Sequence, residues 1–221
     1  MRLHVFLAQA GVASRRQSEK YIAQGLVRVN GRVVTQMGVT IDPTKDEVQY
    51  QGKPVFLSDK RVVMSFYKPR GIISTMKKGL EEGQCIADII ESEERLFPVG
   101  RLDRDSEGLM LLTNDGKLAL RLSHPRYEHE KEYQVTVDKT ITDDQIKRLK
   151  KPFMIDGYRT RPAQVTKSDD KEFTIILREG RKRQIRRMCE NIGLQIKKLK
   201  RIRIGDILLG DLKSGEQRIE K

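Results

Sequence analysis

The chain has 221 residues, enough for one large domain or for a small one beside a medium one. Hydrophobic residues make up 37% and charged residues 34%, which is polar for a globular protein but leaves enough clustered apolar residues for a core. Its 44 Lys and Arg against 31 Asp and Glu give a formal charge of +13, a surplus that favours a polyanionic partner through counterion release; a basic surface that serves solubility alone is the plainer reading. No run approaches the roughly 18 apolar residues of a membrane span. Met1 to Gly11 is too short and too polar for a secretory signal, so a cytoplasmic protein is expected. Cys85 and Cys189 lie far apart without companion ligands; free thiols are expected, and no metal site.

Residues 1–56 read as a small unit. Leu3, Phe6, Leu7 and Ala10 give a first helix one apolar face, with Gly11 to end it. Ser14 is an N-cap candidate, and Gln17 completes a capping-box pattern for a second helix that runs to about Gln24 and stops at Gly25. Asn30-Gly31 between Val27-Arg28-Val29 and Arg32-Val33-Val34 predicts a tight hairpin, and further strand signals lie at Thr40–Ile41 and Glu47–Tyr50. Before Val33 the unit carries Arg2, Arg15, Arg16, Lys20, Arg28 and Arg32 against Glu19 alone. Arg15 and Arg16 fall in the first turn of the second helix, where the helix dipole disfavours cations, which hints at an anion nearby. The stretch "LAQAGVASRRQSEKYIAQGLVRVNGRVV" resembles the S4 RNA-binding domain. The resemblance implies two short helices and a hairpin that present Arg15, Arg16, Lys20 and Arg28 to structured RNA. His4 departs from it, since an acidic or amide residue is more usual there.

Phe56 to Lys60 reads as a linker to a second unit, 62–221. Val62 to Tyr67 is an apolar strand ended by Lys68-Pro69-Arg70-Gly71. Further on, Leu109 to Leu112 reads as a strand, Asn114-Asp115-Gly116 as a turn and Lys117 to Leu122 as a helix. The rest alternates strands, turns and two or three helices, an α+β pattern rather than βαβ repeats, with a charged surface tail from Lys213. In Gly100-Arg101-Leu102-Asp103, Gly100 permits an unusual backbone angle and Leu102 anchors the loop. Arg101 and Asp103, as alternate residues of extended chain, share a direction, as a functional pair or as a simple salt bridge. Tyr133 alternates with Val135 and Val137 on one strand face, which on its own suits an ordinary core tyrosine. Ile185, Met188, Cys189 and Ile192 form one face of a helix stopped by Gly193, while Arg183, Arg186, Arg187 and Glu190 lie on the other side and Arg186 borders the apolar face. From Arg178 to Arg203 there are eleven Lys or Arg and two Glu, so most of the surplus charge sits in one segment.

"GRLDRDSEGLMLLTNDG" resembles the aspartate motif of the pseudouridine synthases of the RsuA, RluB, RluE and RluF branch. "YKPRGIISTM", "HEKEYQVTV", "LREGRKRQIRRMCENIG" and "LKRIRIGDILLGDLKSGEQR" match that family in order, so the resemblance covers nearly all of residues 62–218. It implies a catalytic domain with a mixed, mostly antiparallel sheet flanked by helices. Asp103 is then the catalytic nucleophile, Tyr133 stacks on the flipped uracil, and Arg186 pairs with Asp103. Arg101 holds the site open when the base leaves its helix. The basic segment, with Arg181, Arg183 and Arg187, is expected to contact RNA, while for Arg187 and Lys182 a solvated basic face, apart from phosphate contact, is the plainer reading. The implied reaction isomerises one uridine of ribosomal RNA, 23S rather than 16S, with a tRNA as a further candidate substrate. It needs no cofactor, and the chain shows no phosphate loop, dinucleotide fingerprint or metal cluster. A monomer is expected, since no heptad or spare apolar helix face suggests a seam. Two rivals stand beside this: a non-catalytic rRNA-binding or ribosome-assembly factor, and a metal-dependent nuclease built on Asp103 and Asp105, with Asp115 nearby.

Overall fold

A computed structural model describes residues 1–58, 60–79 and 82–220. By internal contacts the chain divides into two compact units, one of Met1–Val62 with Ser92–Leu96 and Asn114–Gly116, the other of the remaining segments.

The first unit contains α1 (Leu3–Gln9), α2 (Arg15–Ala23), β1 (Val27–Val29), β2 (Arg32–Val33), β3 (Val48–Tyr50) and β4 (Lys53–Pro54), its strands ordered β2-β1-β3-β4. Ser14 caps α2 by accepting from the Gln17 backbone N–H at 3.2 Å, one half of the expected box. Asn30 and Gly31 adopt φ of 49° and 77°, as a hairpin turn with the right twist requires, and β1 and β2 pair across them. The apolar stripe of α1 meets Ile22, Val27, Ile41 and Val48 in a small core. Thr40–Ile41 is not a strand: Thr40 makes a single bridge to Arg2. His4 is buried, its Nε2 at 3.8 Å from Glu19 Oε1. The expected linker has no regular structure in its described part; Asp59 lies outside the described residues.

The second unit contains β5 (Val63–Lys68), β6 (Phe97–Val99), β7 (Glu107–Thr113), α3 (Gly116–Ser123), β8 (Lys131–Val137), α4 (Asp143–Leu149), β9 (Met154–Ile155), β10 (Tyr158–Arg159), β11 (Gln164–Asp169), β12 (Glu172–Leu177), α5 (Gln184–Asn191), β13 (Ile196–Ile204), β14 (Ile207–Leu208) and β15 (Gln217–Ile219). A nine-stranded sheet runs β11-β12-β8-β13-β7-β5-β15, with β14 added to β13 and β6 to β7. The β13–β7 pair is parallel and the other pairs are antiparallel, so the α+β, mixed and mostly antiparallel expectation holds. Residues Gly108–Thr113 of the inner strand β7 are all buried, as an apolar run covered on both faces should be. β8 and β12 bury alternate residues instead. The segment from Lys213, expected as a surface tail, includes β15, which pairs with β5 at the sheet edge; the alternation of Gln217, Arg218 and Ile219 is too short and polar to announce a strand. Cys85 and Cys189 are free and buried.

Candidate active site

The pairing registers place Ile175, Tyr133, Arg201, Gly108 and Lys68 in one row across β12, β8, β13, β7 and β5. Direct cross-strand neighbours share a sheet face, so Tyr133, Arg201 and Lys68 project to one side. Gly108 is obligatory in this row. Its φ is 102°, and a Cβ there would stand 2.3 Å from the Arg201 carbonyl oxygen.

The loop ahead of β7 carries Asp103. Gly100 turns with φ of 74°. Leu102 is buried, its N–H donates to Ser74 Oγ at 3.2 Å, and the Ser74 hydroxyl donates to its carbonyl at 2.5 Å. Beyond Asp103, the Gly71 N–H donates to the Arg104 carbonyl at 2.7 Å, and Arg104 Nε donates back to the Gly71 carbonyl at 3.2 Å. The segment 71–74 thus grips the loop on both sides of Asp103 and leaves that side chain half-exposed.

Asp103 opens on a pocket of about 600 Å³, a size suited to one nucleotide. Tyr133, 8% exposed, lines it together with Leu177, Ile185 and Leu199, so its wall is aromatic and aliphatic. Arg101, Arg181, Lys182 and Arg183 line its cationic side. Arg101 and Asp103 do face the same space, and no ion pair joins them among the described residues. The loop leading into α5 is set by Glu179, buried, which accepts from the Arg161 N–H at 2.9 Å and from Gln184 Nε2 at 2.8 Å. Arg181 lies over the Tyr158 ring at 3.5 Å.

Arg186 does not make the expected contact. Its Nη2 is 3.1 Å from Asp105 Oδ2, 3.0 Å from the Asp105 carbonyl and 3.2 Å from Ser106 Oγ. The partner is Asp105, two residues on in the loop. Arg183 reaches the same carboxylate at 3.4 Å. Burial lowers the Arg186 pKa, the Asp105 and then the Asp103 carboxylates opposing that shift. Arg187 is not brought to the pocket either; it pairs with Asp156 beside a separate hollow formed by Phe153, Met154 and Asn191. In the first unit, Arg15, Arg16, Lys20 and Arg28 are all exposed, as RNA contacts need to be.

Two buried cations in the same row of the sheet as Tyr133 escaped the sequence reading. Lys68 is fully buried and donates to the Pro69 and Ile72 carbonyls at 2.8 Å each. Burial lowers its pKa to about 8, with Asp105, Glu107 and Asp103 pulling the other way. Arg201, 2% exposed, donates from Nε to the Leu109 carbonyl at 2.7 Å, and its Nη2 has no protein partner among the described residues. Only the basic "LKRIRIG" run hinted at Arg201, and nothing in it marks which cation turns inward. The row of the sheet that carries Tyr133 thus also carries two buried cations, Lys68 and Arg201. The Asp105 carboxylate, which a nuclease would need for metal, is engaged by two arginines. Among the described residues no group of three or more His, Cys, Asp or Glu is placed to hold a metal.

The family model for RNA pseudouridylate synthases matches residues 62–191, and the S4 domain model matches residues 1–48. The chain is 40% identical over 220 residues to the dual-specificity RNA pseudouridine synthase RluF of Escherichia coli strain K12, covering 99% of this chain and 74% of that one. It is 39% identical over 223 residues to an uncharacterized RNA pseudouridine synthase of Aquifex aeolicus, covering 99% and 89%. A crystal structure of a pseudouridylate synthase superposes on all of this chain and 96% of its own, with a TM-score of 0.72 at 28% identity. No described helix is long and apolar enough to cross a membrane. A pocket that joins the aspartate-motif carboxylate to an aromatic wall on this sheet, in a chain that also carries an S4 domain, has one home: the chain belongs to the RNA pseudouridine synthase family and is an enzyme that isomerises uridine to pseudouridine.

Proposed function

We propose that the chain isomerises one uridine of large-subunit (23S) ribosomal RNA, with Asp103 as nucleophile and Tyr133 as the surface on which the extruded uracil stacks. The observation that carries this is the shared pocket: Asp103 and Tyr133, thirty residues apart, face the same cavity under a rim of arginines. Pseudouridine formation breaks the N1–C1′ bond, turns the uracil and rejoins it through C5, with no redox change and no hydrolysis. It needs a carboxylate placed against sugar and base, the position that Asp103 takes at the pocket. Extruding the base costs a few kcal/mol in a duplex, and stacking on Tyr133 offsets about 1–3 kcal/mol of it. Arg101 stands at the rim where it can occupy the gap left by the base, and Arg181 and Arg183 can meet the phosphates. Arg186 acts at one remove: it ties α5 to the loop through Asp105 and so positions Asp103.

The ribosomal assignment rests on the order and wording of the motifs and on the RluF relatives; a tRNA is the second substrate to examine. A cytoplasmic location goes with either RNA. The deciding experiment maps pseudouridine by chemical labelling and reverse-transcription stops in total rRNA and tRNA. Cells with the wild-type protein are compared with cells carrying Asp103→Asn. Loss of one modified site in 23S rRNA is expected; an unchanged map, with the variant folded, would reject both nucleophile and substrate.

A further inference from the structure

Beside the uridine pocket lies a second hollow of about 430 Å³, bordered by Arg70, Gly71, Arg104 and Asp105 and sharing Asp103 and Arg183 with the first. Its lining carries three arginines, Arg70, Arg104 and Arg183, against the Asp103 and Asp105 carboxylates. The Asp105 carboxylate is already neutralised by Arg183 and Arg186. Arg70 and Arg104 are exposed, and among the described residues no carboxylate lies within ion-pair distance of either. Both guanidinium groups are nonetheless held in place. Arg70 Nη1 donates to the Lys197 carbonyl at 3.3 Å, and Arg104 Nε donates to the Gly71 carbonyl at 3.2 Å. Arg104 also passes close over Gly83, where a Cβ would stand 3.0 Å from its Nη2. Arginines oriented by backbone carbonyls, with their remaining N–H groups directed at solvent, are preorganised for a ligand rather than used to hold the fold. Their planar forks match the oxygens of a phosphate.

We propose, building on the assignment of Asp103 and Tyr133 to the uridine, that this hollow holds the RNA phosphate adjoining the target nucleotide, gripped by Arg70 and Arg104 with Arg183 shared between the two sites. Because Asp103 borders both spaces, a phosphate seated here is one backbone step from the reacting sugar. It anchors the strand at the point where the nucleotide turns out of its helix.

The test uses the full-length enzyme. Total rRNA and tRNA from cells lacking it serve first to locate the uridine it converts, and a synthetic stem-loop around that uridine then serves for kinetics. Arg70→Gln is expected to raise KM about tenfold, while kcat changes by less than about twofold and thermal unfolding stays put; Arg104→Gln, which also loses its bond to the Gly71 carbonyl, should raise KM at least as much and lower kcat as well. The fall of log(kcat/KM) with log salt should become less steep by about one unit in each variant. Arg104→Lys, which keeps the charge, should recover most of the loss. A neutral methylphosphonate placed at one backbone position at a time should weaken the wild type about tenfold at one position next to the uridine. Arg104→Gln should lose nothing further there, as a double-mutant cycle requires of interacting groups. Folded variants with unchanged KM and salt slope, or losses that add at every adjoining phosphate, would overturn the phosphate site while an active wild type leaves the uridine assignment standing. Failure of the wild type to convert any uridine would instead strike at the proposed function itself.

Discussion

Asp105→Asn probes the contact in which Arg186 departs from expectation. The Arg186 side chain is 8% exposed and its Nη2 stands 3.1 Å from Asp105 Oδ2. At an effective dielectric of about 20 the gross attraction at that separation is about 5 kcal/mol. The Asp105 side chain is 38% exposed, so solvent screens much of it. Asparagine also preserves the hydrogen bonds that Arg186 makes to the Asp105 carbonyl and to Ser106 Oγ. What remains is a buried guanidinium short of its counter-charge, and the expected loss is about 1–3 kcal/mol of stability. Urea unfolding of wild type, Asp105→Asn and Asp103→Asn reads this directly. Asp103→Asn, whose carboxylate has no ion pair among the described residues, should cost less than about 1 kcal/mol and abolish pseudouridine formation. Asp105→Asn should be the less stable variant and keep measurable turnover at reduced rate, because the loop is loosened but the proposed nucleophile, Asp103, remains. The reverse order, with Asp103→Asn markedly destabilised and Asp105→Asn near wild type, would refute the reasoning and restore the Arg186–Asp103 pair.

Tyr133→Ala should lower kcat/KM by roughly 5- to 150-fold, the equivalent of about 1–3 kcal/mol of lost stacking, and Tyr133→Phe should retain the stacking share; equal kinetics for Tyr133→Ala and the wild type would remove the ring from the mechanism. Lys68 titrates near pH 8 in the folded chain against 10.5 ordinarily, so between these values the unfolded chain binds more protons and stability rises with pH. Relative to Lys68→Met, the wild type should therefore gain about 2 kcal/mol from pH 8 to pH 10 in chemical unfolding. Parallel curves would show that its ammonium is not desolvated. Gly108→Ala combines a positive φ with a Cβ 2.3 Å from a backbone oxygen. It should cost more than about 3 kcal/mol or fail to fold, and a variant of wild-type Tm would mean that β7 and β13 are not paired as described.

The local features were legible because each rests on neighbours a few residues away. Ser14 at the head of α2, Asn30-Gly31 in its hairpin and the Ile185–Met188–Cys189 face of α5 depend on a side chain, a turn angle and a helical period, all short-range. Asp103 and Tyr133 were found through the wording of their motifs, and Arg101 through its alternation with Asp103. Three things had no such signal. β15 is a strand because β5 offers it a free edge, not because of its own polar residues. Asp105 takes Arg186 across 81 positions of the chain, a pairing set by the whole domain.

Lys68 and Arg201 show the same boundary most clearly. From sequence, Lys68 ends a strand beside a proline and Arg201 sits in a run of surface-like cations. The registers of β5, β7, β8 and β13, which depend on residues up to about 130 positions apart in the chain, place both in one row with Tyr133. The chain by itself determined which residue types are present, their helical and strand periods, and a charge that favours a polyanionic partner. Only the tertiary structure decided which cations turn inward and which carboxylate each one meets. Strand register is chosen by the summed packing of the sheet, and a shift of one residue would carry every one of these side chains to the opposite face.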